Sequence, residues 1–136
     1  MLITKCINPE IMASLALCGH GSKILITDGN YPVAECSGSS KKVYLGLCPG
    51  IPTATDVLSV VLSVVNVEKA EVMTPADGPE PEIFAEFREL LGGMELDGME
   101  RFAFYDACCK DGAVALTIST GEKRLFANIL LTIGCA

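Results

Sequence analysis

Short apolar runs rich in β-branched residues alternate along this chain with stretches that carry helix start and stop signals, and that alternation narrows the possible folds more than any single motif does. The runs are "KILITD" at 23–28, "KKVYLG" at 41–46, "VEKAEVM" at 67–73, "AVALTIST" at 113–120 and "RLFANILLTIG" at 124–134. Between the strands lie helix signatures. "NPEIMASLALCG" opens on the capping residue Asn8, places Pro9 at the first helical position and ends on Gly19, which suits a left-handed terminating residue. The stretch from Thr53 to Val65 is rich in valine, yet its polar residues Asp56, Ser59, Ser63 and Asn66 recur at three- and four-residue steps, the spacing of a helix stripe. Thr53 with Asp56 also resembles a capping box. "PADGPEPEIFAEFRELLGG" supplies a proline-rich start, an acidic first turn and a glycine stop, and "MERFAFYDACCKDG" reads as a further short helix. The last two runs flank "GEK" and read as strands joined by a tight turn. Without repeats or a linker, the pattern predicts one α/β domain over residues 1–136, three layers with helices packed on a central mixed β-sheet.

Charge and length remove several classes of function. Ten Lys and Arg against 17 Asp and Glu give a net charge of -7, and the only basic clusters are the pairs at 41–42 and 123–124. Such a surface repels phosphate backbones, so nucleic acid and anionic membranes are not expected partners. Even "VLSVVLSVV" is too short to cross a bilayer. "MLITKCINPE" has neither a basic start followed by a long apolar stretch nor a small-residue cleavage site, so a cytoplasmic location is expected. The seven cysteines include no C-x-x-C pair and read as free thiols; with one histidine and no ligand spacing, no metal site is expected.

The chemistry-bearing residues are few. His20, the only histidine, stands between Gly19 and Gly21 after a helix end, where the macrodipole favours the protonated ring and the turn leaves it exposed. It is suited to proton transfer, or it decorates a turn. Asp28 ends an apolar run, where it serves either as an Asx-turn residue or as a ligand at a strand end. An extended strand between them would separate the two by roughly 15 to 20 Å. Either the glycine turn curls back along the sheet, or each site combines His20 and Asp28 from neighbouring subunits. The glycines around Gly46 and Gly50 do not form a phosphate loop, Ser37, Ser39 and Ser40 lack a nucleophile elbow, and Cys108 and Cys109 fit a helix face better than a catalytic role. Arg101 begins "RFAFY", whose aromatics suit a core and whose arginine suits a surface ion pair.

Four segments in order, "GHG" at 19–21, "TDGNYP" at 27–32, "ERFAFYDAC" at 100–108 and "TGEKRLFANILLTIG" at 120–134, resemble the family of fucose mutarotases and ribose pyranases. The resemblance runs nearly end to end and is loosest between residues 35 and 95. It implies a homo-oligomeric ring, commonly of ten subunits, with sites at subunit boundaries, and a monosaccharide substrate handled without cofactor or metal. It assigns His20 as proton donor and Asp28, Arg101, Phe126, Ala127 and Asn128 as sugar-binding positions. Arginine opening an R-F-x-F-Y segment is similar to the fucose branch, so the implied activity is L-fucose mutarotation, with D-ribose pyranase or a non-catalytic sugar-binding homologue as alternatives. Two positions depart from the family pattern: Phe126 replaces the usual tyrosine, and Ser22 stands where an acidic residue is common.

Overall fold

The computed structural model describes all 136 residues. Its elements follow the chain as α1 (Pro9–Ala16), β1 (Lys23–Thr27), β2 (Lys41–Tyr44), α2 (Ala54–Val61), β3 (Val67–Met73), α3 (Ile83–Leu90), β4 (Leu96–Met99), α4 (Arg101–Cys109), β5 (Leu116–Ser119) and β6 (Ile129–Ile133). Local chemistry explains the helix starts. The Asn8 side chain accepts the Ile11 N–H at 3.0 Å with Pro9 behind it. Thr53 and Asp56 close a reciprocal capping box, each side chain accepting the other's backbone N–H. The valine-rich stretch is thus helical from Ala54 to Val61, shorter than the polar stripe predicts: Ser63 and Asn66 lie beyond the helix end. α4 is capped by Glu100, which accepts the Ala103 N–H at 2.7 Å.

The six strands form one mixed sheet in the order β2-β5-β1-β6-β3-β4. β1 pairs in parallel with β5, β5 with β2, and β3 with β4; β6 lies antiparallel between β1 and β3, so it alone runs against the other five. α1, α2 and α3 cover one face, where Ile24, Ile26, Leu116, Ile118, Ile129 and Leu131 meet Leu58, Phe84 and Phe87. The opposite face packs Leu25, Leu130 and Met73 against Phe104 and Cys108 of α4 and against Tyr31 and Val33 of the β1–β2 loop. The three-layer α/β architecture is therefore the expected one. Each fully buried leucine, isoleucine or phenylalanine contributes about 1.5–3 kcal/mol relative to exposure, so the two clusters supply the driving force for the fold.

Three local expectations are corrected. The last two strands are not a hairpin: β1 lies between β5 and β6, pairing Leu25 with Thr117 on one side and Leu130 on the other. β4, "LDGM", carries no strand signal in the sequence: its pattern is neither apolar nor alternating, and only its pairing with β3 makes it a strand. Gly19 is not the left-handed residue after α1; that conformation belongs to Gly21, at φ 84°.

Candidate functional site

Because five strands share one direction, the carboxyl ends of β1, β3 and β4 open at the same edge of the sheet, together with the amino end of antiparallel β6. Carboxyl ends of parallel strands are where α/β sheets bind ligands. At this edge Asp28, Asn30, Tyr31, Met73, Arg101, Tyr105, Leu125, Phe126 and Asn128 line a cavity of about 250 Å³. Four of the six candidate site residues thus converge on it.

Asp28 and Asn128 are both buried and bind each other twice. The Asn128 Nδ2 donates to Asp28 Oδ2 at 3.0 Å, and the Asp28 N–H donates to Asn128 Oδ1 at 2.9 Å. Asp28 Oδ1 also accepts the Asn30 N–H at 2.9 Å, so the Asx-turn reading is correct and coexists with a place in the cavity. Burial pushes the Asp28 carboxyl above the usual range; hydrogen bonds from Asn30 and Asn128 offset part of that.

Arg101 is the first residue of α4. Its guanidinium lies 5.4 Å from the Tyr105 ring centroid and 5.8 Å from that of Phe102, and its Nε donates to Tyr105 Oη at 3.2 Å. Arg88 and Arg124 are ion-paired with carboxylates, whereas Arg101 has no carboxylate within 4 Å. The surface ion pair expected of a bland arginine is absent, and its terminal nitrogens keep donors for a ligand.

Phe126 lines the cavity from an unusual backbone: at φ 61° it is the one non-glycine residue in the left-handed region. A bulky residue held there costs on the order of 1–3 kcal/mol, and such strain clusters at ligand sites. Ala127 does not present its side chain to the cavity. It is fully buried in the larger core.

His20 lies elsewhere. It precedes β1, at the opposite edge of the sheet, and lines a second depression of about 550 Å³ with Leu62, Asn66, Ile133 and Cys135 among others. Its Nε2 is 2.9 Å from Glu68 Oε2. The glycine turn does not curl back: Gly21 N–H donates to Ile133 O at 2.8 Å and Ile133 N–H to Ser22 O at 2.9 Å, which fastens the turn to the far end of β6. One chain therefore brings together Asp28, Arg101, Phe126 and Asn128, and leaves His20 apart.

The sequence reading missed Tyr31, Tyr105, Met73 and Glu68. Tyr31 lies inside the motif "TDGNYP", and Tyr105 stands four residues after Arg101, a helical neighbour by spacing. Met73 and Glu68 carry no local signal. The Tyr31 hydroxyl is committed as a donor to Cys36 O at 2.7 Å, and burial, with Cys108 beside it, pushes its ionisation far up, so it is a neutral wall of the cavity. No group of three or more His, Cys, Asp or Glu side chains is placed to hold a metal ion.

Comparison with known proteins finds relatives along the whole chain. The profile of the RbsD / FucU transport protein family matches residues 1–136. A D-ribose pyranase of Chloroflexus aggregans is 29% identical, covering 98% of this chain and 95% of that one. A fucose mutarotase of Bos taurus is 31% identical, covering 94% and 88%. Among solved structures, Bacillus subtilis RbsD complexed with D-ribose superposes with a TM-score of 0.85 at 27% identity, covering 100% of this chain and 99% of that one. The fucose mutarotase of Streptococcus pneumoniae in complex with L-fucose gives 0.83 at 25% identity with the same coverage.

Proposed function

From the premise that the chain belongs to the RbsD / FucU transport protein family, we propose that it is an isomerase-type enzyme, a monosaccharide mutarotase that opens and recloses a cyclic hemiacetal. The observation that carries the reading is the cavity at the sheet edge, where a buried Asp28–Asn128 pair faces an Arg101 guanidinium free of any carboxylate. A sugar needs oriented acceptors and donors for its hydroxyls, apolar walls for its ring face and no redox centre. Asp28 and Asn128 supply acceptor oxygens, Arg101 a planar fork of donors, and Phe126, Tyr31 and Tyr105 the walls.

His20 supplies the proton. As the imidazolium it protonates the ring oxygen while the anomeric hydroxyl loses its proton to water; the C1–O bond breaks and a carbonyl forms. After rotation the freed hydroxyl attacks the other carbonyl face, returns its proton to His20, and the new anomeric oxygen takes one from water. Protons and electrons balance, and general acid–base catalysis of this kind contributes about 10²–10⁴-fold. Since His20 stands at the far edge of its own sheet, the reading takes it from a neighbouring subunit seated against the cavity, in a homo-oligomeric ring, with ten as the expected subunit count.

L-fucose is the first substrate we assign, because Arg101 opens the R-F-x-F-Y segment; D-ribose is the second, because relatives of both kinds align over nearly the whole chain. Saturation-transfer NMR between anomers, run on a panel of free sugars that includes L-fucose and D-ribose, tests both. Enhanced exchange of L-fucose anomers supports the first, enhanced pyranose–furanose exchange of D-ribose the second. Binding without exchange for every sugar would leave a non-catalytic sugar-binding protein.

A further inference from the structure

No acidic residue stands between Ile11 and Thr27, so the sequence around His20 offers it no carboxylate. The fold supplies one from 48 residues away. Glu68 Oε2 lies 2.9 Å from His20 Nε2, and two features of the backbone are arranged around that contact. First, the β3–β6 ladder steps from Val67↔Ile133 directly to Lys69↔Thr132, so Glu68 is the extra residue of a bulge and has no partner across the ladder. A bulge re-aims the side chain it carries. Second, a Cβ at Gly134 would sit 3.2 Å from Glu68 Cβ, tighter than ordinary packing, and in contact with its Oε2 at 3.5 Å; the glycine keeps that space open. Gly134 N–H in turn donates to Asn66 O at 3.0 Å, tying the start of β3 to the same strand end that holds the histidine turn.

Both side chains are largely exposed, at 59% for His20 and 45% for Glu68. An exposed pair adds little to folding stability, so the bulge and the glycine are not explained by stability. A carboxylate oxygen only accepts, so the hydrogen shared with it belongs to Nε2, and Nδ1 is left as the nitrogen free to exchange a proton.

We infer that Glu68 is a positioning residue: from its bulge it holds the His20 imidazole in one orientation through Nε2–H, leaving Nδ1 to give and take the sugar's proton. The inference rests on the mutarotase reading for its chemistry and on the structure alone for the pairing, and the experiment separates the two.

The ring is the chain's only imidazole, so its labelled signals are identified without assignment. Carbon-13 relaxation of the ring is measured in wild type, Glu68→Ala and Glu68→Gln, alongside exchange kinetics. Wild type should show a ring as ordered as the backbone. Glu68→Ala should release the ring on the ps–ns scale and lower kcat about tenfold with KM within about twofold, and Glu68→Gln, which keeps an acceptor oxygen, should recover ring order and most of kcat. Thermal melting should be the same for all three. A ring equally ordered in Glu68→Ala, or an unchanged kcat there, overturns the inference, and so does a Gln variant as impaired as Ala. If wild type exchanges no sugar, the proposed function falls, and ring order in Glu68→Ala still decides whether Glu68 positions His20.

Discussion

Arg101 sits where a helix disfavours it. A cation in the first turn of α4 meets the positive end of the helix dipole, at a cost of about 0.3–1 kcal/mol, and the Glu100 carboxylate that caps this end does not pair with it: no carboxylate lies within 4 Å of the Arg101 guanidinium. Its guanidinium carbon lies 5.8 Å from the Phe102 ring centroid and 5.4 Å from that of Tyr105, so the two aromatic neighbours hold the charge in place. Such a placement is reasonable if the missing partner is a ligand's oxygens. Arg101→Gln should therefore raise KM for the sugar about tenfold while leaving the melting temperature unchanged or slightly higher, since a neutral side chain relieves the dipole conflict. A lower melting temperature with unaltered KM would make Arg101 a packing residue. Phe126 poses the complementary case, a residue that keeps the aromatic wall without a hydroxyl. Restoring one in Phe126→Tyr adds one neutral hydrogen bond at most, about 0.5–1.5 kcal/mol, and the exchange rate should rise by up to about tenfold. A rate that does not move would show that Tyr105, which lines the same cavity, already does what that group would do.

The segment between β5 and β6 is the element that shapes the cavity, and a buried carboxylate holds it. Glu122 is nearly inaccessible; it accepts the Arg124 N–H at 3.0 Å, the Arg124 guanidinium at 2.9 and 3.1 Å and the Ala54 N–H at 3.3 Å, while Arg124 also reaches Glu86. Burial alone would raise its ionisation, but Arg124 and the backbone donors outweigh that and hold the carboxyl at about 2 against the usual 4.5. A lowered native value means stability that is fully present above 4.5 and lost as pH falls toward 2, on the order of 3 kcal/mol in all. Urea denaturation at pH 6 and pH 3 should show wild type losing stability more steeply on acidification than Glu122→Gln; equal losses would place the acid sensitivity elsewhere. The sequence announced little of this network, because its partners lie at 54, 86 and 124. The same distinction runs through the fold. Helix starts at Asn8–Pro9 and Thr53–Asp56 were legible because caps act over three residues. The hairpin reading failed because "GEK" is a good local turn, yet two neighbours in sequence each found a better partner in β1. β4 was invisible because four residues, "LDGM", become a strand only beside β3. Among the cavity-lining residues, Asp28, Arg101 and Asn128 were legible through motif resemblance, whereas Met73 enters only through its place at the end of β3; Glu68 reaches His20 at the far edge from a bulge that no local pattern announces.

At the scale of the whole molecule, β1 is a ruler. It separates His20 at its amino end from the Asp28 cavity at its carboxyl end, and backbone hydrogen bonds from Gly21 and to Ser22 forbid the turn from closing that distance. Large apolar side chains stand exposed on several sides of the isolated chain, among them Met1, Ile3, Leu17, Leu47, Phe102 and Leu125. In the proposed ring, a closed assembly of identical subunits would cover such groups and would also seat one subunit's histidine against another's cavity. The two requirements share a test that assembly alone would not pass. His20→Ala and Asp28→Asn should each abolish or strongly lower exchange when prepared separately. Co-expressed or refolded together, they form mixed assemblies in which a site pairs His20 from an Asp28→Asn subunit with Asp28 from a His20→Ala subunit. At equal amounts and random mixing, roughly a quarter of the boundaries have that composition, so about a quarter of wild-type activity should return. Were His20 and Asp28 to act within one chain, every subunit in the mixture would carry a lesion in its own site and no activity would reappear. Light scattering on the same samples shows that the subunits have assembled and native mass spectrometry shows that each oligomer holds both variants, so a silent mixture of such mixed oligomers would count against the shared site and not against the mixing.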